Sequence, residues 1–211
     1  MSTTNIPNYY VNEGFLFINN NNTKVNDSKN KSFEKSKIID IEGKLVCLGE
    51  IIYNNSRKDF LECVKKNYIN HYSPLYKGTR IRIYWYDDRF NISTINQIYP
   101  NIDISKYINQ INFDLLDKKI CYYAIMCDDI PTIILTYMEE ITKKMKKNIN
   151  NIVNVNLKIP VLSEDLAFEN HLEIFDCKNP FMILDQIQLH NHGLIFYSNC
   201  GNNSEVFEFV K

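Results

Sequence analysis

Several absences narrow the function of this chain before any motif does. No stretch approaches the roughly 20 consecutive apolar residues of a membrane-crossing helix, and no membrane partner is expected. Neither sign of charge is in excess: 24 Lys and Arg stand against 25 Asp and Glu, a formal net charge of -1. Binding to nucleic acid therefore needs a local basic patch, because the total charge does not demand it. G-x-x-x-x-G-K-[ST], G-x-G-x-x-G and H-E-x-x-H are missing, which leaves a P-loop enzyme, a dinucleotide enzyme and a zincin unsupported. No serine or cysteine hydrolase signature stands out. The six cysteines, Cys47, Cys63, Cys121, Cys127, Cys177 and Cys200, form no C-x-x-C pair and follow no apolar leader. Reduced thiols in the cytoplasm are the simplest reading. Asn, Ile, Lys and Tyr are abundant throughout, as in an AT-rich virus or parasite, where the compartment becomes host cytoplasm or virus factory.

At 211 residues the chain suits one core. Residues 1–36 are polar, with Asn19 to Asn22 in a row and one apolar island at Gly14 to Ile18; they read as a flexible N-terminal arm whose residues 14–18 dock as an edge strand. Residues 37–211 read as a single domain. It begins with two strand-like runs, Ile38 to Ile41 and Lys44 to Leu48, joined at Glu42-Gly43. Phe60, Leu61, Val64 and Tyr68 recur at helical spacing with Ser56 as N-cap, predicting a helix up to a break at Tyr72-Ser73-Pro74.

Farther on, Ile120 to Cys127 and Thr132 to Tyr137 flank Asp128-Asp129-Ile130-Pro131 as a hairpin, with helix over about 138–149. Both Asp pairs, at 87–88 and 128–129, are read as turn formers first. Residues 152–159 alternate as a strand, and Ser163 caps a predicted helix carrying Leu166, Leu172 and Phe175. A last hairpin joins Gly193 to Tyr197 with Glu205 to Val210 around 199–203. Strands outnumber helices, and the fold class is α+β, mainly antiparallel sheets with flanking helices.

The segment from Tyr76 to Thr94 carries most of the chemistry. Gly78 opens a period-two run with Arg80, Arg82, Tyr84 and Tyr86 on one face and Thr79, Ile81, Ile83 and Trp85 on the other, before a turn at Asp87-Asp88-Arg89. Two readings stay open: the arginines form the solvated face of an edge hairpin, or they bind an anion. Basic residues beside Tyr84, Trp85 and Tyr86 also suit single-stranded RNA, with core packing the alternative role for Trp85. His190 and His192 share one strand face but lack a third ligand fixed by spacing, so no metal site is assigned. Lys143-Lys144 and Lys146-Lys147 form a basic face that is either merely solvated or part of an RNA footprint.

From about residue 38 to 211 the chain resembles the nucleotidyltransferase superfamily of ATP-dependent ligases and mRNA capping enzymes, particularly RNA-ligase-like proteins of large DNA viruses. In that family a lysine in K-x-D-G attacks the nucleotide α-phosphate. Gly78 matches the glycine, Arg80 the arginine of K-x-D-G-x-R, and Ser93-Thr94 the far end of the hairpin. The nucleophile position falls on Leu75 and the aspartate position on Lys77, which makes Lys77 the candidate for a shifted nucleophile. Tyr123, in Tyr122-Tyr123-Ala124-Ile125, is similar to the aromatic that stacks on the purine. His192, before Gly193-Leu194-Ile195, stands where E-G-[LI]-[VI] has a glutamate, and Lys211 is what remains of a lysine-rich last motif.

The resemblance implies a catalytically degenerate RNA-ligase-like domain, a pseudoenzyme that binds RNA or nucleotide through Gly78, Thr79, Arg80, Arg82, Tyr123, His192 and Lys211. ATP and Mg²⁺ are the cofactors it implies, with a protein partner to supply the absent accessory domain. The alternatives are an active ATP-dependent RNA ligase or adenylyltransferase using Lys77, and a viral structural or interaction module in which the fold says nothing of activity.

Overall fold

The computed structural model describes residues 9–11, 16–19, 34–35, 37–47, 49–51, 53–94, 97–98, 103–141, 167–189, 192–200 and 203–211. The strand expected over 152–159, the helical stretch 142–149 with its lysine face, the Ser163 cap and His190 lie outside these residues.

Among the described residues, three four-stranded antiparallel sheets and one two-stranded pair build the fold, and helices are sparse. The first contains β1 (Tyr9–Val11), β2 (Leu16–Asn19), β4 (Lys37–Asp40) and β5 (Leu45–Cys47) in that order. β2 is therefore an inner strand, not the expected edge: its backbone pairs with β1 on one side and β4 on the other. Gly43, at φ 75°, makes the turn from β4 to β5 that Glu42-Gly43 predicted. A short pair joins β3 (Glu34–Lys35) to β6 (Glu50–Ile51).

The helix α1 (Arg57–Lys65) starts where the sequence indicated, with Ser56 Oγ accepting from the Asp59 N–H at 3.2 Å. It stops earlier than expected, at Asn67 in the left-handed conformation (φ 55°), and the next residues form β7 (Ile69–Pro74). Tyr72-Ser73-Pro74 is thus the end of a strand, not a break. Pro74 fits there because it is the last residue of β7, where a missing N–H does least harm to the ladder.

β8 (Gly78–Tyr86) and β9 (Arg89–Thr94) form the expected hairpin, turned by Asp87 and Asp88 at φ 53° and 56°. Two consecutive left-handed residues match the twist of the flanking strands, and aspartate tolerates that conformation better than most side chains. The Asn91 amide donates to the Tyr86 and Arg89 carbonyls at 2.8 and 3.1 Å and ties the hairpin end together. β10 (Ile120–Cys127) and β11 (Ile133–Glu140) complete this sheet in the order β11-β10-β8-β9.

The helix expected from 138 does not begin there. β10 offers a free ladder edge, and Met138, Glu139 and Glu140 pair with Tyr122, Cys121 and Ile120. The register shift between Tyr123 and Ala124 is a bulge around Thr136, whose hydroxyl donates to the Tyr123 carbonyl at 2.7 Å.

Residues 167–176 are not helical either. The Leu135 N–H donates to Asn170, the Leu172 N–H donates back to Leu135, and the segment runs beside β11 before β12 (Phe175–Asp176). Leu172 is buried while Phe175 is exposed, so the two do not share the stripe a helix would require.

The third sheet, ordered β12-β7-β13-β14, adds β13 (Gly193–Cys200) and β14 (Asn203–Val210) after a short helix α2 (Pro180–Asp185) capped by Asn179. α1 lays Phe60 onto this sheet, with ring centroids 5.1 Å from Phe196, 5.5 Å from Phe207 and 4.9 Å from Phe209. The middle sheet is buried on both faces. Ile81, Ile83, Tyr122 and Met126 pack toward Ile111 and Phe168. On the opposite face, Tyr84, Cys121 and Tyr123 meet the first sheet, while Ile125 and Cys127 meet Leu75, Ile195 and Tyr197.

Candidate functional site

Where the glycine ends of β8 and β13 approach each other, the middle and third sheets separate into an open cleft of about 730 Å³. Gly78 pairs with Cys127, and a Cβ at this position would sit 2.0 Å from the Met126 carbonyl oxygen. Gly193, at φ 142°, would put a Cβ 2.1 Å from the Phe209 carbonyl oxygen. Both glycines let a neighbouring strand approach closer than any side chain permits. Two backbone bonds tie the floor: the Leu75 N–H to the Gly193 carbonyl at 3.0 Å and the Lys211 N–H to the His192 carbonyl at 3.1 Å.

Six of the eight residues singled out by sequence line this cleft: Lys77, Gly78, Thr79, Arg80, His192 and Lys211. The other two do not. Arg82 is fully buried, with Nη2 donating to the Thr94 carbonyl at 2.5 Å, which removes it from the solvated face that alternation allowed. Tyr123 is 2 % exposed and stacked on Tyr137 at 4.0 Å with 9° between the rings, its hydroxyl 4.0 Å from Cys47 Sγ. Burial pushes the Tyr123 hydroxyl well above the usual phenol range, and the ring already has its stacking partner.

Charge in the cleft is arranged in pairs that cross from one sheet to the other. Arg80 on β8 reaches Glu208 on β14 at 3.3 Å, and its guanidinium lies 4.4 Å from the Tyr53 ring centroid. His192 before β13 meets Asp129, in the β10–β11 turn, at 2.8 Å between Nε2 and Oδ2. Lys77 is exposed, and the Lys211 ammonium donates to the Gln188 carbonyl at 3.1 Å. Three basic side chains, Lys77, Arg80 and Lys211, thus line the cleft with the carboxylate of Glu208. Tyr76 also lines the cleft, and burial, helped by the charge of Glu173, raises its hydroxyl above the ordinary range.

Leu75 is 8 % exposed and packs on Ile125, Ile195 and Tyr197, so an inert aliphatic group fills the position matched to the family's nucleophile. Sequence reasoning missed Glu208, Asp129, Tyr76 and Thr94 as parts of the site. Glu208 was within reach: Phe207 and Phe209 alternate toward the core under α1, which turns Glu208 to the opposite face. Asp129 carried no signal beyond turn chemistry, because its partner lies 63 residues away across the cleft (129 to 192).

No protein-family model matches the chain, and no curated protein matches it. Among solved structures, one from Aquifex aeolicus described as a "Putative ATP-dependent DNA ligase" superposes with a TM-score of 0.58 at 12 % identity, over 96 % of this chain and 58 % of that one. The chain has a ligase-like fold. At that identity the likeness concerns the fold, and the chain spans 58 % of the length of the ligase-like structure. Among the described residues no helix is long and apolar enough to cross a membrane, and no group of three or more His, Cys, Asp and Glu side chains is placed to hold a metal ion.

Proposed function

We propose that this ligase-like chain is an RNA-ligase-like protein that binds a nucleotide or a phosphorylated RNA end in the cleft, and that its lysine-based transfer step is lost. One observation carries the reading: Lys77 and Arg80, on either side of Gly78 at the start of β8, and Lys211, after β14, meet in one cleft beside the close-packed backbone at Gly78. Converging cations around a glycine-lined backbone suit a polyphosphate or terminal phosphate, with arginine as the bidentate partner. Leu75 in the nucleophile's place supports the loss of lysine chemistry, since an aliphatic side chain forms no phosphoramidate.

ATP fits this cleft by charge. Among the described residues that line it, the one carboxylate, Glu208, is already paired with Arg80, whereas a hard cation takes several oxygen ligands. Six scattered cysteines with no C-x-x-C pair favour a reducing compartment such as the cytoplasm.

Filter binding at moderate salt, with single-stranded RNA bearing either a 5′-phosphate or a 5′-hydroxyl, tests the reading. Tighter retention of the phosphorylated strand, competed by ATP, is expected. Absence of affinity for either RNA and for ATP would sink it.

A further inference from the structure

Of the three aromatic residues that end β8, the core absorbs two. Tyr84 is fully buried, and Tyr86 packs on the same core cluster. Trp85, the single tryptophan of the chain, stands on the opposite face of the strand and belongs to no buried cluster among the described residues. Phe90 packs on the core around Ile81 and Ile83, and the half-buried indole meets Phe90 edge to face at 4.8 Å. The Lys118 ammonium lies over the indole, 4.1 Å from its centroid. Lys118 is exposed and ends a flexible stem, so it is a cover that a nucleobase can replace.

This patch is continuous with the cleft. In the β8–β9 ladder Thr94 stands opposite Ile81, Ile92 opposite Ile83 and Phe90 opposite Trp85, which places all six side chains on one face of the sheet. Thr94 lines the cleft. Ile92 and Phe90 are half-buried, and β9 is the outer strand of its sheet among the described residues. The strand from Thr94 to Phe90 is about 13 Å long, a span that a few nucleotides cover.

We propose that this strip is an RNA path: a single-stranded RNA whose 5′-phosphate sits in the cleft runs along β9 and stacks a base on Trp85. The inference rests on the cleft holding an RNA end. Stacking on an aromatic ring is sequence-tolerant, because every base offers a π-face. Charge around the indole is balanced, with Arg89, Lys118 and Lys119 against Asp87, Asp88 and Asp117, all exposed. Affinity at this end therefore comes from the ring and not from neutralised phosphates, whose contribution falls with salt.

Because Trp85 is the only tryptophan, indole fluorescence reports on this site alone. The test titrates the full chain with a 5′-phosphorylated RNA decanucleotide, a 5′-phosphorylated RNA dinucleotide and ATP, reading indole fluorescence and, in parallel, affinity by calorimetry. The decanucleotide is expected to quench Trp85, while the dinucleotide and ATP bind without quenching it. Trp85→Ala should weaken the decanucleotide by about tenfold, by the same factor at low and raised salt, and leave ATP affinity unchanged. A decanucleotide that binds without quenching, or equally well to Trp85→Ala, overturns the path and leaves the cleft standing as the phosphate site. ATP bound without any RNA affinity overturns the path and leaves a nucleotide site. No affinity for either overturns both. Fluorescence of the native chain keeps the result decisive even if Trp85→Ala folds poorly.

Discussion

Arg80 and Glu208 face each other across the cleft at 3.3 Å, the arginine 30 % and the glutamate 18 % exposed in their side chains. An anionic ligand must compete with that carboxylate for the guanidinium. The cleft therefore holds its arginine in place and lowers its affinity for phosphate at the same time, because the guanidinium already has a carboxylate partner.

Removing the negative charge while keeping the shape should strengthen binding. Glu208→Gln is expected to tighten ATP by about fivefold, corresponding to about 1 kcal/mol for a partly exposed ion pair. Arg80→Ala should weaken it by about 10- to 100-fold, the range for loss of a charge-assisted hydrogen bond. Calorimetric titration of both variants at one ionic strength checks the opposite signs.

Gly78→Ala introduces a Cβ 2.0 Å from a backbone oxygen of β10, which has no flexible end to move aside. Overpacking of this kind costs about 2–3 kcal/mol, or roughly 5–10 °C of Tm for a chain of this size. Thermal melts of the variant should show that loss together with loss of ligand affinity, because the strands carrying the cleft must separate.

Phe60→Ala removes the ring that Phe196, Phe207 and Phe209 surround, and is expected to cost about 3–5 kcal/mol by cavity formation. Tyr123→Phe should by contrast leave nucleotide affinity untouched, since the Tyr123 ring is stacked on Tyr137 outside the cleft lining. Urea unfolding reads the first effect and calorimetry the second.

Burial pushes the Cys177 thiol from 9.0 up to about 11. Between those values the unfolded chain ionises this thiol while the folded chain keeps it protonated, so the unfolded state binds fewer protons and stability falls as pH rises. The contribution is fully present below pH 9, declines toward about 11 and levels off above it. Urea midpoints across that window should fall less steeply in Cys177→Ala than in the native chain.

Local chemistry made much of this readable in the sequence. Asp87-Asp88 closes a hairpin, Ser56 caps α1, and Gly78 opens β8, each through interactions within a few residues. Failures came where a distant strand decided. Ile133, Tyr137, Ile141, Met145 and Ile149 recur at helical spacing in the sequence, yet β10 offers Met138 to Glu140 a ladder; Ile69 to Pro74 end in proline, yet β13 pairs with them through Ser73 and Pro74. Alternation placed Arg82 on one face of β8 but could not tell that the first and third sheets cover that face. Lys77 and Arg80 were legible because they flank the glycine that opens β8, and Lys211 only through the resemblance of the last motif. Their acidic partners were not, because Glu208 and Asp129 meet Arg80 and His192 only in the assembled fold.

Calorimetric titration of ATP into the native chain and into a Lys77→Ala, Arg80→Ala, Lys211→Ala triple variant tests the cleft most directly. Saturable binding to the native chain that weakens with added salt and disappears in the folded triple variant is the expected result. Equal affinity in both proteins would contradict it, because the ligand would then be held somewhere other than this cleft.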